Sequence, residues 1–419
     1  MTAIAGRRTK VTLAGFAGGV IALGAVAGLG YAGVDTLADS RAGRRVTPEE
    51  SGLPVRELPY THTALVGAAD EDGWLTSVVV MVLEPDGTGG SIVSLSPSAD
   101  EASGNASSLT PLNAVYAADG PQEFLSAAEG LTGLSFDVAE VVDAERFTEL
   151  VTPLGELVVD LPTALRDAST EEEYAAGVVR MSPAEAAAAL ISRDPELDDW
   201  LLDPARAAVW EAVADAVDGG IGVGSLSAEV AAVRPASLDE FVSRLFAGPV
   251  DHRAFASTEI GATRVAEQLD DLYRDAFAAH DDTSVSVVAH GRAELMMVFG
   301  SIAPRRLGAP FEGYTVRVVS RFPGDQLEPL GVNNADVALE AINRLLFAKV
   351  NVVSFGQTDT PPEVTVIEVA DPGNVPNVEA TFGTLFGASE VRAAEQLIEG
   401  IDLQITLGTA YLETVESTE

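Results

Sequence analysis

From Val11 to Val34 the chain runs 24 residues without a charged side chain, and the ten residues before it carry Arg7, Arg8 and Lys10. At ~1.5 Å rise per residue a helix of that length reaches about 36 Å, enough to cross a hydrocarbon core of ~30 Å with some tilt. The cationic flank predicts residues 1–10 in the cytoplasm, an anchor over 11–34 and the remainder outside the membrane. Tyr31 stands where an interfacial aromatic would. A cleaved signal peptide is the competing reading, but its apolar core would be only about 7–15 residues long. Two patterns inside the run carry little. Gly28-Leu29-Gly30-Tyr31-Ala32-Gly33 spells a dinucleotide fingerprint without the preceding strand that would give it meaning. Gly15/Gly19 and Gly24/Gly28 have helix-packing spacing, which chance supplies in a stretch so rich in Gly and Ala.

The part beyond the run is strongly acidic. Once Arg7, Arg8 and Lys10 are set aside, 22 Lys and Arg face 64 Asp and Glu. Such a surface repels nucleic acid and anionic headgroups, which excludes a general polyanion binder. Hydrophobic residues still make up 47% of the chain, so a folded core is expected rather than an acidic tail. With no cysteine there is no disulfide, thiol nucleophile or thiolate-bound metal. His62, His252, His280 and His290 are scattered without metal-ligand spacing and read as surface or satisfied polar groups.

Residues 35–58 are polar, with Gly and two prolines, and read as a linker. The roughly 360 residues after it suggest two domains. Thr61–Ala68, Ser77–Leu83 and Ser91–Leu95 read as strands, the middle one apolar on both faces as in a central strand, with a turn at Glu84-Pro85-Asp86-Gly87. A helix is expected in Pro121–Gly130. Ser182-Pro183-Ala184-Glu185 and Ser237-Leu238-Asp239-Glu240 are capping-box starts, the second before Phe241–Phe246. Ala262–Ala279 has the spacing of one amphipathic helix. From near Gly313 a second block reads as strand Thr315–Arg321, helix Ala335–Lys349 and strand Val350–Phe355. Strand Val364–Val369, helix Glu390–Ile398 and strand Ile401–Leu407 follow. Strands mixed with helices throughout imply a layered α/β or α+β fold. The joint is expected at Phe311–Gly313, dividing a domain over 59–312 from a smaller α/β domain over 313–413.

Several phrases, in order, resemble the LytR-CpsA-Psr family of envelope proteins. ALVGAADEDGWLTSVVVMVLEPDGTGGSIVSLSP is similar to the family's opening L-L-G-S-D … D-T-I-M-V … S-I-P-R-D. PLNAVYAADG resembles its K-I-N-A-A-Y helix. RMSPAEAAAALISRD resembles L-S-G-E-Q-A-L-A-Y-V-R-x-R, and DPARAAVWEAV resembles R-x-x-R-Q. The ordered match covers roughly residues 60–220, and the block 313–413 resembles the LytR C-terminal domain. The resemblance implies an α-β-α layered domain with a mixed central sheet, an apolar tunnel beneath it for a polyprenyl tail, and a single-pass, outward-facing topology at the cell membrane. It implies a phosphotransferase that moves a polyprenyl-pyrophosphate-linked glycopolymer to peptidoglycan. There, arginines hold the pyrophosphate and acidic residues with a divalent metal such as Mg²⁺ assist. Phosphoryl transfer depends on such fixed cations to neutralise charge on the phosphate oxygens.

Residue by residue, this chain departs from that pattern at most charged positions. The Arg and Asp of S-I-P-R-D fall on Ser98 and Ala99, the Asp of D-T-I-M on Thr76, and the nearby Arg on about Trp74. The Lys of K-I-N falls on Pro111, although Leu112, Asn113 and Tyr116 match. The first Arg of R-x-R falls on Ile191 and the second survives as Arg193. In R-x-x-R-Q the first Arg falls on Asp203 and the second survives as Arg206. A one-residue slip returns Asp70 or Asp100 to a metal role, but it restores no arginine, because residues 59–116 contain no Lys or Arg. Arg193, Arg206, Asn113, Tyr116 and Ser98 are the candidate substrate contacts. Arg193 also suits a helix C-terminus without any ligand, and Arg206 also suits pairing with Asp203 or Glu211 on one helix face.

Three functions follow as expectations. The first is a degenerate family member, without resident metal or cofactor, that binds polyprenyl-linked glycan or envelope partners in wall assembly. The second is an active Mg²⁺-dependent phosphotransferase using Arg180, Arg193, Arg206 and Asp100. The third is an unrelated anchored interaction protein. In the C-terminal block the turn Ser320-Arg321-Phe322-Pro323-Gly324 replaces the usual N-G-S-G, and that block reads as a binding or packing module.

Overall fold

The computed structural model describes residues 55–101, 108–166, 173–194, 197–221, 226–280, 285–308 and 313–415. The anchor over 11–34, most of the linker and the joint at 311–312 lie outside the described residues. Among the described residues no helix is long and apolar enough to cross a membrane. Their small unit holds Val55–Arg56, which pairs in parallel with Leu397–Ile398. Everything described from here on belongs to the large unit, residues 57–395 and 401–419.

Strands β1 (Thr63–Ala69), β2 (Leu75–Leu83), β3 (Gly90–Leu95) and β4 (Val138–Val142) form most of the first sheet. A hairpin of β5 (Leu157–Leu161) and β6 (Gly177–Met181) follows. Strand β7 (Val250–Ala254) then closes the edge, in the order β7-β3-β2-β1-β4. The sheet is mixed: β3 is parallel to β7 and β1 to β4, while β2 is antiparallel to both neighbours. The run that is apolar on both faces takes the central place. Val78, Val80 and Val82 enter one core, and Val79, Met81 and Leu83 the other.

Helices cover both faces, giving the α-β-α layering. On one face lie α1 (Leu112–Asp119) and α2 (Pro121–Thr132). On the other lie α3 (Ala144–Val151), α4 (Pro183–Ile191), α5 (Asp203–Val217) and α6 (Leu238–Leu245). The Ser182 box closes in both directions, hydroxyl to Glu185 N–H and Glu185 carboxylate to Ser182 N–H. The Ser237 box closes only halfway, because Glu240 accepts from Ala236 N–H and pairs with Arg244 instead.

The expected single helix over 262–279 is two, α7 (Ala262–Gln268) and α8 (Asp271–Ala279). Leu269 leaves helical geometry, and Asp270 caps α8 by accepting from Leu272 N–H at 3.0 Å. An N-cap carboxylate satisfies helix-start donors, and here that outweighs continuing the apolar spacing. Helix α9 (Arg292–Ile302) buries Leu295 and Phe299 in the first sheet's core and Ala293 and Met296 in the second's.

The second sheet consists of β8 (Thr315–Val319), β9 (Asn351–Gly356), β10 (Thr365–Val369), β11 (Ser389–Ala393) and β12 (Leu403–Thr406). Its order is β9-β8-β12-β10-β11. Helix α10 (Asn334–Phe347) links the parallel pair β8 and β9, the expected β-α-β unit. The helix expected over 390–398 is instead edge strand β11, parallel to β10. The helix of that region is α11 (Val375–Phe382), which opens with Pro376 in its first turn.

Candidate functional site

Of the positions matched to the family's site, Thr76, Asp203 and Arg206 come together where β2, β3 and the start of α5 meet. A cavity of about 280 Å³ lies there. Thr76 and Ser77 of β2, Ser94 to Pro97, Trp200 to Ala207 in part, and Ala254 to Ser257 after β7 form its wall. At the floor, Trp210 donates its indole N–H to Ser77 Oγ at 3.0 Å and packs edge-to-face on Phe147.

Arg206 is placed by α5 with 2% exposure. Its guanidinium donates to Asp199 Oδ1 at 2.6 Å and to the Ser192 carbonyl at 2.9 Å, and lies 3.6 Å from Asp203. Asp203 stands where the family has an arginine. Burial pushes its carboxyl up to about 8, against the pull of Arg206 and with Asp199 pushing the same way. The cation that survives is therefore enclosed by two carboxyl groups of its own chain. The expected pairing with Asp203 is present, Glu211 takes no part, and Asp199 is the stronger partner. Asp199 escapes sequence reading because it sits in a short 3₁₀ turn, Asp199–Leu202, that brings it back over the helix start.

Arg193 lies two residues past α4. It pairs with Asp70 at 3.4 Å, donates to the His280 carbonyl at 2.8 Å and lies over the Trp74 ring at 5.4 Å. Trp74 in turn packs against Phe277 and His280. Arg180 stands on β6, largely exposed and paired with Glu156 at 2.9 Å, and is not part of the cavity wall.

Ser98, Asp100 and Asn113 are buried beside the cavity and hold the loop between β3 and α1. Asn113 donates to Ser98 Oγ at 3.3 Å, and its own N–H bonds the Pro97 carbonyl at 2.8 Å. Asp100 accepts from Thr110 N–H at 2.9 Å. Tyr116 is half-buried, edge-on to Phe124. None of these four is in the cavity wall.

Among the described residues the divalent ion that the resemblance implies has no fitting donor set. Asp70 Oδ1 accepts from Asp72 and Trp74 N–H while Oδ2 faces Arg193, so its oxygens are committed. Among the described residues no three His, Asp or Glu side chains stand together as metal ligands do. The histidines are engaged too. His62 meets Asp137 at 2.9 Å, and His280 lies against the Ala276 and Asp72 carbonyls. His252 meets Ser94 Oγ at 2.9 Å, and His290 accepts from Ser96 N–H at 3.2 Å. Burial holds both His252 and His290 down to about 4, so each is neutral at pH 7.

A larger, more open depression of about 430 Å³ lies at the turn after β8, against Arg321, Asn334 and Asp359. Its polar groups bond one another. Asn334 holds Phe322 N–H and C=O at 2.6 and 3.0 Å, and Arg321 pairs with Asp359 at 3.0 Å. It is a braced turn, and the cavity beside Arg206 is the candidate site.

No family model matches the sequence, and no curated protein matches it. The solved structures similar to part of the chain include three of note. One is TagV of B. subtilis, at 16% identity and TM-score 0.35 over 54% of this chain and 100% of that one. TagU of B. subtilis gives 15% and 0.30 over 52% and 96%. At such values these likenesses carry no argument. The third is described as a LytR-Csp2A-Psr enzyme from Actinomyces oris, at 16% identity and TM-score 0.34 over 57% of this chain and 100% of that one.

Proposed function

We propose that this chain is an outward-facing envelope protein of the LytR-CpsA-Psr type, anchored through residues 11–34, that serves cell-wall assembly as a binder and not as a phosphotransferase. One observation carries this reading. Both arginines retained from the expected anion grip are already engaged by carboxylates of their own chain, Arg206 by Asp199 with the Asp203 carboxyl group beside it, and Arg193 by Asp70. A pyrophosphate entering there would meet a buried carboxyl group where the transfer reaction needs another fixed cation.

The second support is space. The layer between the sheet and helices α3 to α5 is filled by Met81, Phe147, Met181 and Trp210, all at most 3% exposed. The cavity of about 280 Å³ is below the ~300–1,000 Å³ usual for small-molecule pockets. That favours a glycan end or an envelope partner over a long polyprenyl tail as the bound group.

The test uses the full chain purified in detergent and extracted for bound lipid, then assayed for turnover of a pyrophosphate-linked polyprenyl glycan with Mg²⁺ or Mn²⁺. The expected result is no turnover above the protein-free rate. Metal-dependent turnover that falls in Arg193→Ala would overturn the proposal in favour of an active phosphotransferase.

A further inference from the structure

Two hydrogen-bond acceptors face the ring of His62, one at each nitrogen. The residue directly precedes β1 and is 3% exposed. Its Nδ1 lies 2.9 Å from Asp137 Oδ2, and its Nε2 lies 3.1 Å from the Ala231 carbonyl oxygen. Asp137 Oδ2 also accepts from Thr63 N–H at 3.3 Å, while Oδ1 meets Arg306 at 2.6 Å and Arg234 at 3.7 Å. An ionised carboxylate and a backbone carbonyl only accept, and a neutral imidazole has a single N–H to give. Both bonds are made only when both ring nitrogens carry hydrogen. His290 shows the neutral arrangement, since one nitrogen accepts from Ser96 N–H and the other faces the Ala256 carbonyl. His280 also faces two carbonyls, those of Ala276 and Asp72, but it is partly exposed, and water can replace either partner. Burial denies His62 that substitute.

The contact at Nε2 holds a separate piece of chain. Ala231 ends the short helical turn Ala228–Ala231. Arg244 of α6 donates to the Val233 carbonyl at 2.8 Å and to that of Val230 at 3.4 Å, and Arg234 donates to the Asp137 carbonyl. Ala231 sits so close to the turn between β2 and β3 that a Cβ on Gly87 would lie 2.8 Å from its Cα. Residues 228–234 are thus fastened by side chains of three neighbouring segments, and His62 is the one among them that can lose a proton near neutral pH. Asp137 and Glu240 favour its charged form, Arg306, Arg234 and Arg244 oppose it, and Tyr60 stands edge-on to the ring at 5.3 Å. Bonds from Ala236 N–H and Arg244 hold the Glu240 carboxyl below its ordinary range, and His62 adds to that pull. We propose that His62 is a proton-dependent clasp: with both ring hydrogens it ties Asp137 to Ala231, and on losing one it releases residues 228–234. The bond to Ala231 is the one given up, because the bond to the ionised Asp137 is the stronger. The clasp is closed in acid and opens as pH rises. It lies at the far end of β1 and β2 from the cavity beside Arg206, since Thr63 pairs with Val82 and Ala68 with Ser77, so it stands or falls separately from the proposed function.

The experiment uses the full chain in detergent, labelled with ¹⁵N-histidine, from pH 6 to pH 9. Ring ¹⁵N spectra report which nitrogens carry hydrogen. Hydrogen exchange, corrected for the intrinsic effect of pH, reports protection of the Val230, Ala231 and Val233 amides, which bond within the segment. Amides of α10 in the second core serve as the reference. At pH 6 both His62 nitrogens should carry hydrogen. Toward pH 9 one should lose it, and protection of the three amides should fall by roughly ten- to a hundredfold relative to α10, the loss expected of one bond from a charged donor. His62→Gln keeps a donor but has no proton to lose, and it should remove that step. A bare ring nitrogen at pH 6 in the folded chain overturns the inference, and so does protection that stays level to pH 9. A step that persists in His62→Gln assigns the effect to another group and also overturns it. If that variant does not fold, the ring spectra and the exchange of the natural chain still decide.

Discussion

Asparagine at position 203 would replace a buried carboxyl group with an uncharged group of nearly the same shape. Asp203 sits at the start of α5 with both oxygens buried, and burial carries its carboxyl from the ordinary 3.8 to about 8. Each unit corresponds to ~1.4 kcal/mol, so ionising this group inside the fold costs about 6 kcal/mol at the upper bound. Relaxation and water entry reduce such figures, and a measurable effect of about 1–3 kcal/mol is expected. The sign follows from proton binding. Between pH ~4 and ~8 the folded protein holds this proton and the unfolded chain does not. The contribution of Asp203 to stability is therefore complete below pH ~4 and is lost as pH rises through ~8. Asparagine has no proton to lose, so Asp203→Asn should gain on the natural protein from pH 5 to pH 9. Urea unfolding at pH 5, 7 and 9 measures that gain directly. If the variant instead loses ground as pH rises, Asp203 is ionised and Arg206 depends on it. The account of a carboxyl group kept neutral by its burial at this site would then be refuted.

Arg206→Met removes the buried cation at similar volume and leaves Asp199 and Asp203 facing each other. Unfolding at pH 7 should show a loss of about 3–5 kcal/mol, whereas a purely ligand-facing arginine would leave stability unchanged. Asp137 joins β1, the approach to β4 and the end of α9 through His62 at 2.9 Å, Thr63 N–H at 3.3 Å and Arg306 at 2.6 Å. Burial pushes its carboxyl up, but the bonds from His62 and Arg306 outweigh that and hold it below the ordinary value. Its contribution is present above the unfolded pKa and is lost as pH falls through the lower folded one. Asp137→Asn should thus cost about 2–4 kcal/mol at pH 7, with the gap closing in acid titration below pH ~4. Gly90 has φ +146°, and a Cβ there would lie 1.9 Å from the Val82 carbonyl oxygen. Gly90→Ala should lower the midpoint of thermal unfolding by the equivalent of at least ~3 kcal/mol or abolish soluble expression.

What could be read from residues alone depended on how local the deciding interaction was. Leu75–Leu83 announces a central strand because both of its faces are apolar, and the box at Ser182 announces a helix because its two bonds close within four residues. Edge strand β11 gives no such signal. Ser389–Ala393 buries no side chain fully, and only its pairing with β10 distinguishes it from the helix that its charges suggest. Helix α11 is hidden for the opposite reason, since Asp371-Pro372-Gly373-Asn374 reads as a loop and Pro376 extends that impression into the first turn. The site divides in the same way. The lack of any Lys or Arg between residues 59 and 116 is plain in the sequence, and so is the pairing of Arg206 with Asp203 three residues earlier. Asp199 is not, because its reach to Arg206 depends on the 3₁₀ turn and on the Ser192 carbonyl that bonds the same guanidinium nitrogen. Missing cations in a sequence show only that an anion grip is weakened. The folded chain adds that the arginines left behind have found carboxylate partners of their own, and this turns a weakened grip into a site of different chemistry.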